Sequence, residues 1–407
     1  MYTITIFNGK EKQLKKHHPW VFSGAIEKVT PQYKEAGYAK VLDSNGEFIA
    51  YGYYDIKSHI TLHLLSWDEK KEPNDELMAS ILDKAILRRK EYFALRDTTC
   101  FRLLHGDADY FPGLTLDIYG KEIRGIISSR FAYSMMNTVV SQLQKRLSPE
   151  LVTFTIDSFY GPSEGLPQKT FYYRNGGMVK DIEKKNTLFQ ENGIYYEIES
   201  GNTQKSGFYC DQRDNRARVA KYAKGKTVLD AFCYTGGFTL NALREGAESI
   251  LALDASESAL RHLLYQIHLN ENKGVLPENS RAKVETEKCD IFDKMRSLPQ
   301  DHFDLMILDP PKLAQTKGKL ENALKAYKDL NMIAFKKIKK DGIIATFSCS
   351  GALSREQFRT TLAWAAHDAG VEFQILETLS AGSDHPIRIS EPESEYLKGF
   401  ILRVVKD

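Results

Sequence analysis

Cysteine is scarce in this chain and poorly arranged for cross-linking. Its five copies (Cys100, Cys210, Cys233, Cys289, Cys349) are an odd number with no Cys-x-x-Cys pair. That excludes a disulfide framework and a zinc site by spacing, and points to reduced thiols in a cytoplasmic protein. No apolar run approaches the roughly 18 residues of a membrane helix. The opening, MYTITIFNGKEKQLKKHHPW, lacks the apolar stretch of a secretory signal. Charge of one sign is hardly in excess, with 56 Lys and Arg against 54 Asp and Glu. Any surface for a polyanion must therefore be a local patch. Repeats and low-complexity segments are missing, and so is the G-x-G-x-x-G signature of a dinucleotide site.

What is present is an ordinary globular composition, 42% hydrophobic and 27% charged. At roughly 100–200 residues per domain, the length suggests two or three domains. Residues 1–72 read as short strands. Asp43-Ser44-Asn45-Gly46 marks a turn between 39–42 and 48–51, and 60–65 is a further strand. A polar linker at 68–75 precedes a helix at about 76–96, with Leu77, Ile81, Leu82, Ala85 and Leu87 as its apolar spacing and Arg88, Arg89 and Lys90 at its basic end. A mixed α+β stretch runs to about 188. From 189 to 407 strands alternate with helices, the pattern of a parallel sheet. Strands end at Asp230, Asp254 and Asp309, a third leads toward Asp290, and a fifth covers 342–347. Two late strands, near 372–379 and 398–405, read as an antiparallel edge pair. The helix 327–340 turns Leu330, Ile333, Ala334 and Ile338 inward.

The most informative segment is Asp230-Ala231-Phe232-Cys233-Tyr234-Thr235-Gly236-Gly237-Phe238. A strand ends in an acid, a glycine turn follows and a helix begins. Ligands of open parallel sheets bind beyond the carboxyl ends of the strands, and glycine permits close approach to the backbone. Asp230 suits an amino-acid ammonium, Asp254 suits ribose hydroxyls and Asp290 suits an adenine amino group. The set fits S-adenosylmethionine.

Asp309-Pro310-Pro311-Lys312 follows the fourth strand. Two prolines stiffen the loop and remove two amide donors, which leaves Asp309 and nearby carbonyls to face a flat base. Cys349, in Phe347-Ser348-Cys349-Ser350-Gly351, follows the fifth strand at the same sheet edge. Carbon 5 of cytosine is a poor nucleophile. A thiolate added at carbon 6 makes it enamine-like, so that it can take a methyl group. A nearby cation or helix N-terminus is expected to lower the thiol pKa. Cys210 is the alternative nucleophile.

These residues resemble the family of PUA-domain ribosomal RNA large-subunit methyltransferases that make 5-methylcytosine, over nearly the whole chain. The resemblance is carried by 18–24 (HPWVFSG), His105-Gly106-Asp107, Pro112-Gly113-Leu114, Gln204-Lys205-Ser206-Gly207-Phe208, Asp211-Gln212-Arg213, the 232–237 turn, 309–312, Tyr327-Lys328-Asp329, 347–351, Asp384-His385-Pro386 and Tyr396-Leu397-Lys398-Gly399. It implies a PUA-type β-barrel (1–72), a central α+β domain (73–188) and a Rossmann-like class I methyltransferase domain (189–407). It implies Cys349 as nucleophile and Asp309 beside the base. Asp230, Phe232, Tyr234, Thr235, Gly236, Gly237, Asp254, Asp290 and Asp309 are the expected cofactor residues. Gln204, Lys205, Phe208, Arg213, Pro310, Pro311 and Lys312 are the expected substrate residues, with no metal. Many RNA cytosine-5 methyltransferases have a second cysteine after the paired prolines, which assists product release; here that place is Lys312.

The implied partner is 23S ribosomal RNA, with no membrane association and with a homodimer allowed. Lys10, Lys12, Lys15, Lys16 and His17 before Trp20 are the candidate phosphate-binding patch. Two other readings stand beside this one: an amino-directed guanine or adenine methyltransferase, which needs no thiol, and a non-catalytic RNA-binding assembly factor, which needs no cofactor.

Overall fold

Short strands with alternating polarity need partners on both sides, and in the computed structural model residues 2–66 supply them as a six-stranded sheet. The structure describes all residues except 33–34, 94–96, 184, 200–206, 315–316 and 406–407. Gln204 and Lys205 therefore lie outside the described residues. The spatial order is Trp20–Val21, Leu62–Ser66, Phe48–Tyr54, Gly37–Leu42, Tyr2–Ile6, Ile26–Thr30. Ile4, Ile6, Val21, Val41, Leu62 and Leu64 fill its core. The expected turn is built by Asp43, whose Oδ1 accepts from the amides of Asn45 and Glu47, with Gly46 at φ +84°.

The helix after the linker is Asp75–Phe93. Met78, Ile81, Leu82, Ala85 and Ile86 are buried on it, whereas Leu87 is 56% exposed. This corrects the expected inward position of Leu87, which lies one residue, about 100° of helix rotation, past the buried Ile86. Arg89 also belongs to the buried stripe. It is 2% exposed and pairs through both terminal nitrogens with Asp109, at 2.9 and 2.6 Å. The basic end of this helix is thus partly an internal ion pair. The helix packs on a second six-stranded sheet, ordered Gly177–Val179, Thr170–Arg174, Leu151–Ile156, Glu122–Ile127, Leu114–Tyr119, Cys100–His105.

The chain divides into two units. One comprises Met1–Leu188, Ile198–Gly207 and Asp384–Ser394; the other comprises Phe189–Glu197, Phe208–Ser383 and Glu395–Asp407. Within the first unit the late segment Asp384–Ser394 is firmly held. Arg89 donates to the Asp384 carbonyl at 2.7 Å, and the Arg102 amide donates to the Asp384 carboxylate at 2.8 Å. Arg388 donates to the carbonyls of Asp107 and His17, and stacks over Trp67 and Tyr110.

The second unit is a seven-stranded sheet ordered Val284–Lys288, Ser249–Asp254, Thr227–Ala231, Phe303–Leu308, Ile338–Ser348, Lys398–Val405, Glu372–Ser380. The first five are parallel, and the last two run antiparallel, as the sequence suggests. Leu330, Ile333 and Ala334 are buried on the helix Leu320–Lys337. Ile338 is a correction: it opens the fifth strand, paired with Phe303 and fully buried, instead of closing the helix. Sheet pairing there outweighs the helical spacing.

Candidate active site

Buried parallel strands project their last residues and the following loops at one edge. The first strand delivers Asp230 to that edge, and the turn after it is unusual. Phe232, Tyr234 and Gly236 have φ of +65°, +50° and +83°. Left-handed backbone is unfavourable for side-chain-bearing residues, and such strain gathers where a ligand must approach the main chain. A Cβ on Gly236 would lie 2.0 Å from Leu263 Cδ1, and one on Gly237 would lie 2.9 Å from Arg216 Cδ. The turn is fixed by amides of Gly236 to the Cys233 carbonyl (2.8 Å), of Cys233 to the Leu253 carbonyl (2.9 Å) and of Tyr234 to Asp254 Oδ2 (2.9 Å).

Asp230 is 1% exposed. Its Oδ2 accepts from the Thr239 hydroxyl at 2.6 Å, while its Oδ1 is buried with no partner among the described residues. Burial raises its pKa to about 7, against the Thr239 hydrogen bonds. An unpaired buried carboxylate oxygen is costly, and a ligand ammonium is a group that would complete it. Asp254 Oδ1 accepts from the Ser256 amide at 2.8 Å, and Asp290 Oδ1 caps the helix Ile291–Ser297 through the Asp293 amide at 3.1 Å. Thr235 is buried in the same turn. Adjacent strands thus align the three acids, and the residues fit S-adenosylmethionine.

Asp309 and Cys349 end the next two strands. The Gln212 amide donates to Asp309 Oδ1 at 3.0 Å, and Asn215 holds the other end of Gln212 at 2.6 Å. Burial and the neighbouring Asp211 push the Asp309 carboxyl up to about 7. The Cys349 thiol is half-buried. Desolvation, then Asp309 and Asp211, push it up to about 12, with the ammonium groups of Lys312 and Lys398 pulling the other way. The expected cation is therefore present but outweighed, and the thiol rests protonated.

The loop carrying Cys349 is rigidly braced. Ser348 Oγ donates to the Tyr327 hydroxyl at 2.9 Å, the Ala314 amide donates to Ser350 Oγ at 3.2 Å, and Lys398 Nζ donates to the carbonyls of Ser350 and Tyr396, both at 3.1 Å. Pro310 is buried, while Pro311 and Lys312 are exposed beside this loop.

Two expected substrate residues are interior. Phe208 is 3% exposed, packs on Phe189 and Tyr196, and lies under the Arg216 guanidinium. Arg213 is 0% exposed beside Asp214. Both side chains are packed inside the second unit. Cys210 is 3% exposed, a packed thiol.

Four side chains of this region carry no individual role in the sequence reading. Arg216, 4% exposed, makes a bidentate pair with Glu191 (2.7 and 2.5 Å) and reaches the Tyr209 carbonyl at 2.7 Å. Asp211, Tyr396 and Lys398 brace the thiol loop. The last three lie inside motifs that carry the resemblance, which was their only sequence signal; Glu191 and Arg216 meet across 25 positions with none.

Comparison with known proteins agrees with this geometry. A PUA-like domain model matches residues 4–67, and an S-adenosylmethionine-dependent methyltransferase model matches residues 180–331. The chain is 34% identical over 406 residues to ribosomal RNA large subunit methyltransferase I of Tolumonas auensis, covering 99% of each. It is 35% identical to the protein of the same name from Photobacterium profundum, again covering 99% of each. Among solved structures, the methyltransferase SMU.776 complexed with SAH superposes with a TM-score of 0.81 at 20% identity, covering 99% of this chain and 100% of that one. Fold, family models and relatives converge: the chain belongs to the ribosomal RNA large subunit methyltransferase I family and uses S-adenosylmethionine as its cofactor.

Proposed function

We propose that this protein methylates carbon 5 of a cytosine in 23S ribosomal RNA through a covalent adduct on Cys349. The observation that carries this reading is the Cys349 thiol facing Asp309 and Lys312 at the carboxyl edge of the sheet, beside the cofactor turn. A methyltransferase acting on an exocyclic nitrogen has no use for a thiol there. The relatives, ribosomal RNA large subunit methyltransferases, supply the RNA class.

Asp230, Phe232, Tyr234, Thr235, Gly236, Gly237, Asp254 and Asp290 hold the cofactor in this reading, whose sulfonium supplies an electrophilic methyl group. Pro310, Pro311 and Lys312 border the base, which must be unstacked to reach the edge of the sheet. A carboxyl near pKa 7 is protonated for part of the time at neutral pH, so Asp309 can donate a hydrogen bond to N3, where charge collects as the thiolate adds to carbon 6. The Cys349 thiol gives its proton to water as it adds, and the ammonium charges of Lys312 and Lys398 favour the thiolate. Residues 1–72, 73–188 and 189–407 act as RNA-docking, central and catalytic domains.

RNA carrying 5-fluorocytosine tests the reading, because fluorine cannot leave carbon 5 as a proton does. A gel-stable protein–RNA band should form only with S-adenosylmethionine. Cys349→Ala should lose both the band and methylation, whereas Cys210→Ala should keep both. Full methylation by Cys349→Ala would overturn the mechanism and favour an amino-directed enzyme.

A further inference from the structure

We propose that Asp211 is the base that removes the proton from carbon 5 of the methylated adduct and so frees the enzyme from its product. This rests on the covalent reading above. It addresses the step left open by Lys312, which stands where related enzymes have a releasing cysteine. A charged ammonium has no lone pair with which to accept a proton.

The hydrogen bonds around the thiol single out Asp211. The Tyr396 hydroxyl donates to Asp211 Oδ2 at 2.7 Å, and the Gly382 amide donates to the Asp211 carbonyl at 3.0 Å. The Tyr396 carbonyl accepts from Lys398, which also holds the carbonyl of Ser350, next to Cys349. On the other side Gln212, adjacent to Asp211 in the chain, donates to Asp309. Asp211 is thus linked to the loop of Cys349 through Tyr396 and Lys398, and to Asp309 through its chain neighbour Gln212. Its second oxygen, Oδ1, is buried and has no partner among the described residues. The charge of Asp211 is felt by Cys349, by Asp309 and by the exposed Tyr209 ring.

The other groups there are committed elsewhere. Asp309 Oδ1 is held by Gln212 and its carboxyl serves N3. Lys398 spends its ammonium on two carbonyls. A buried carboxylate oxygen with no hydrogen bond, on a side chain anchored by its other oxygen, is an available proton acceptor.

The step balances without an external reagent. Asp211 Oδ1 takes the carbon 5 proton. The C–H electron pair becomes the second bond between carbons 5 and 6, and the carbon 6–sulfur pair leaves with Cys349 as thiolate. Asp211 then returns its proton to water.

Asp211→Asn removes the basicity and keeps an oxygen for the Tyr396 hydroxyl. With ordinary RNA and S-adenosylmethionine, this variant should methylate once and then stall. A gel-stable protein–RNA band carrying the methyl group should accumulate, and turnover should fall by about a hundredfold or more. Near-normal turnover, or abolished turnover with no band, overturns the proposal. Tyr396→Phe leaves the acid in place but unanchored, and should slow release by about tenfold while the band remains visible. Wild-type release in that variant also overturns it. Failure of the wild type to trap 5-fluorocytosine RNA would instead sink the covalent reading, so the two failures are distinguishable.

Discussion

Asp230 and Asp309 each sit at about 7 because burial removes water from a carboxylate that no cation among the described residues contacts directly. Their folded-state pKa lies above the ordinary 3.8, so the native protein binds more protons than the unfolded chain between about pH 4 and 7. Stability without cofactor should therefore fall as pH rises through that window. Asp230→Asn or Asp309→Asn should flatten the fall and stabilise the protein at pH 8, each by on the order of a few kcal/mol. Urea unfolding at pH 5 and pH 8 measures this, and identical pH slopes for wild type and both variants would count against it. The identities of these acids, and of Cys349, were readable because their chemistry is explicit in the side chain and each closes a strand. Their protonation was not, since it depends on burial and, for Asp309, on the charge of Asp211, 98 positions earlier in the chain. The burial of Arg213 and Phe208 was not legible for the same reason: a residue type that can contact RNA is a poor guide to whether its side chain faces outward.

At the level of elements, the turn from the first catalytic strand into the helix Gly237–Arg244 is the most demanding piece of backbone. Gly236 combines φ +83° with a built Cβ only 2.0 Å from Leu263. Left-handed strain and overpacking act together, so Gly236→Ala should cost about 3 kcal/mol of stability. Chemical denaturation reads that cost, and a change under about 0.5 kcal/mol, the scatter of neutral surface substitutions, would show that the turn relaxes freely. The glycine was conspicuous in the sequence. The left-handed conformation of Phe232 and Tyr234 was not, because neither residue type favours it. Helical spacing likewise placed the buried stripe of Asp75–Phe93 but missed its edge at Leu87, and it ran past the helix end at Ile338. Local periodicity sets the direction of a face, whereas its width and length depend on what packs there.

For the whole molecule, the candidate RNA patch is testable without removing any domain. Lys10, Lys12 and Lys16 are exposed around the short helix Glu11–Leu14, whereas Lys15 is bound to Asp43 at 2.6 Å. Changing Lys10, Lys12 and Lys16 together to Glu should weaken RNA binding and reduce its dependence on log salt by about 3, one for each phosphate left without its lysine. Cofactor binding should stay unchanged, because Asp230, Asp254 and Asp290, the proposed cofactor residues, belong to the other unit. Unaltered RNA affinity and salt slope would exclude this patch as a docking surface.

The sequence alone determined the alternating order of strands and helices, the acids that end them, the glycine turn and the thiol at the fifth strand. All of these are local: a period, a cap or a residue type at a strand end is legible wherever it occurs. Tertiary structure decided which of those residues meet. The Glu191–Arg216 pair joins positions 25 apart, and Tyr396 reaches Asp211 across 185. It also decided that Asp384–Ser394 leaves the catalytic unit to be held by Arg89 and Arg102 in the first unit, 295 and 282 positions away from Asp384. A hydrogen bond between distant residues depends on the path of the chain between them, and no window of sequence contains that path.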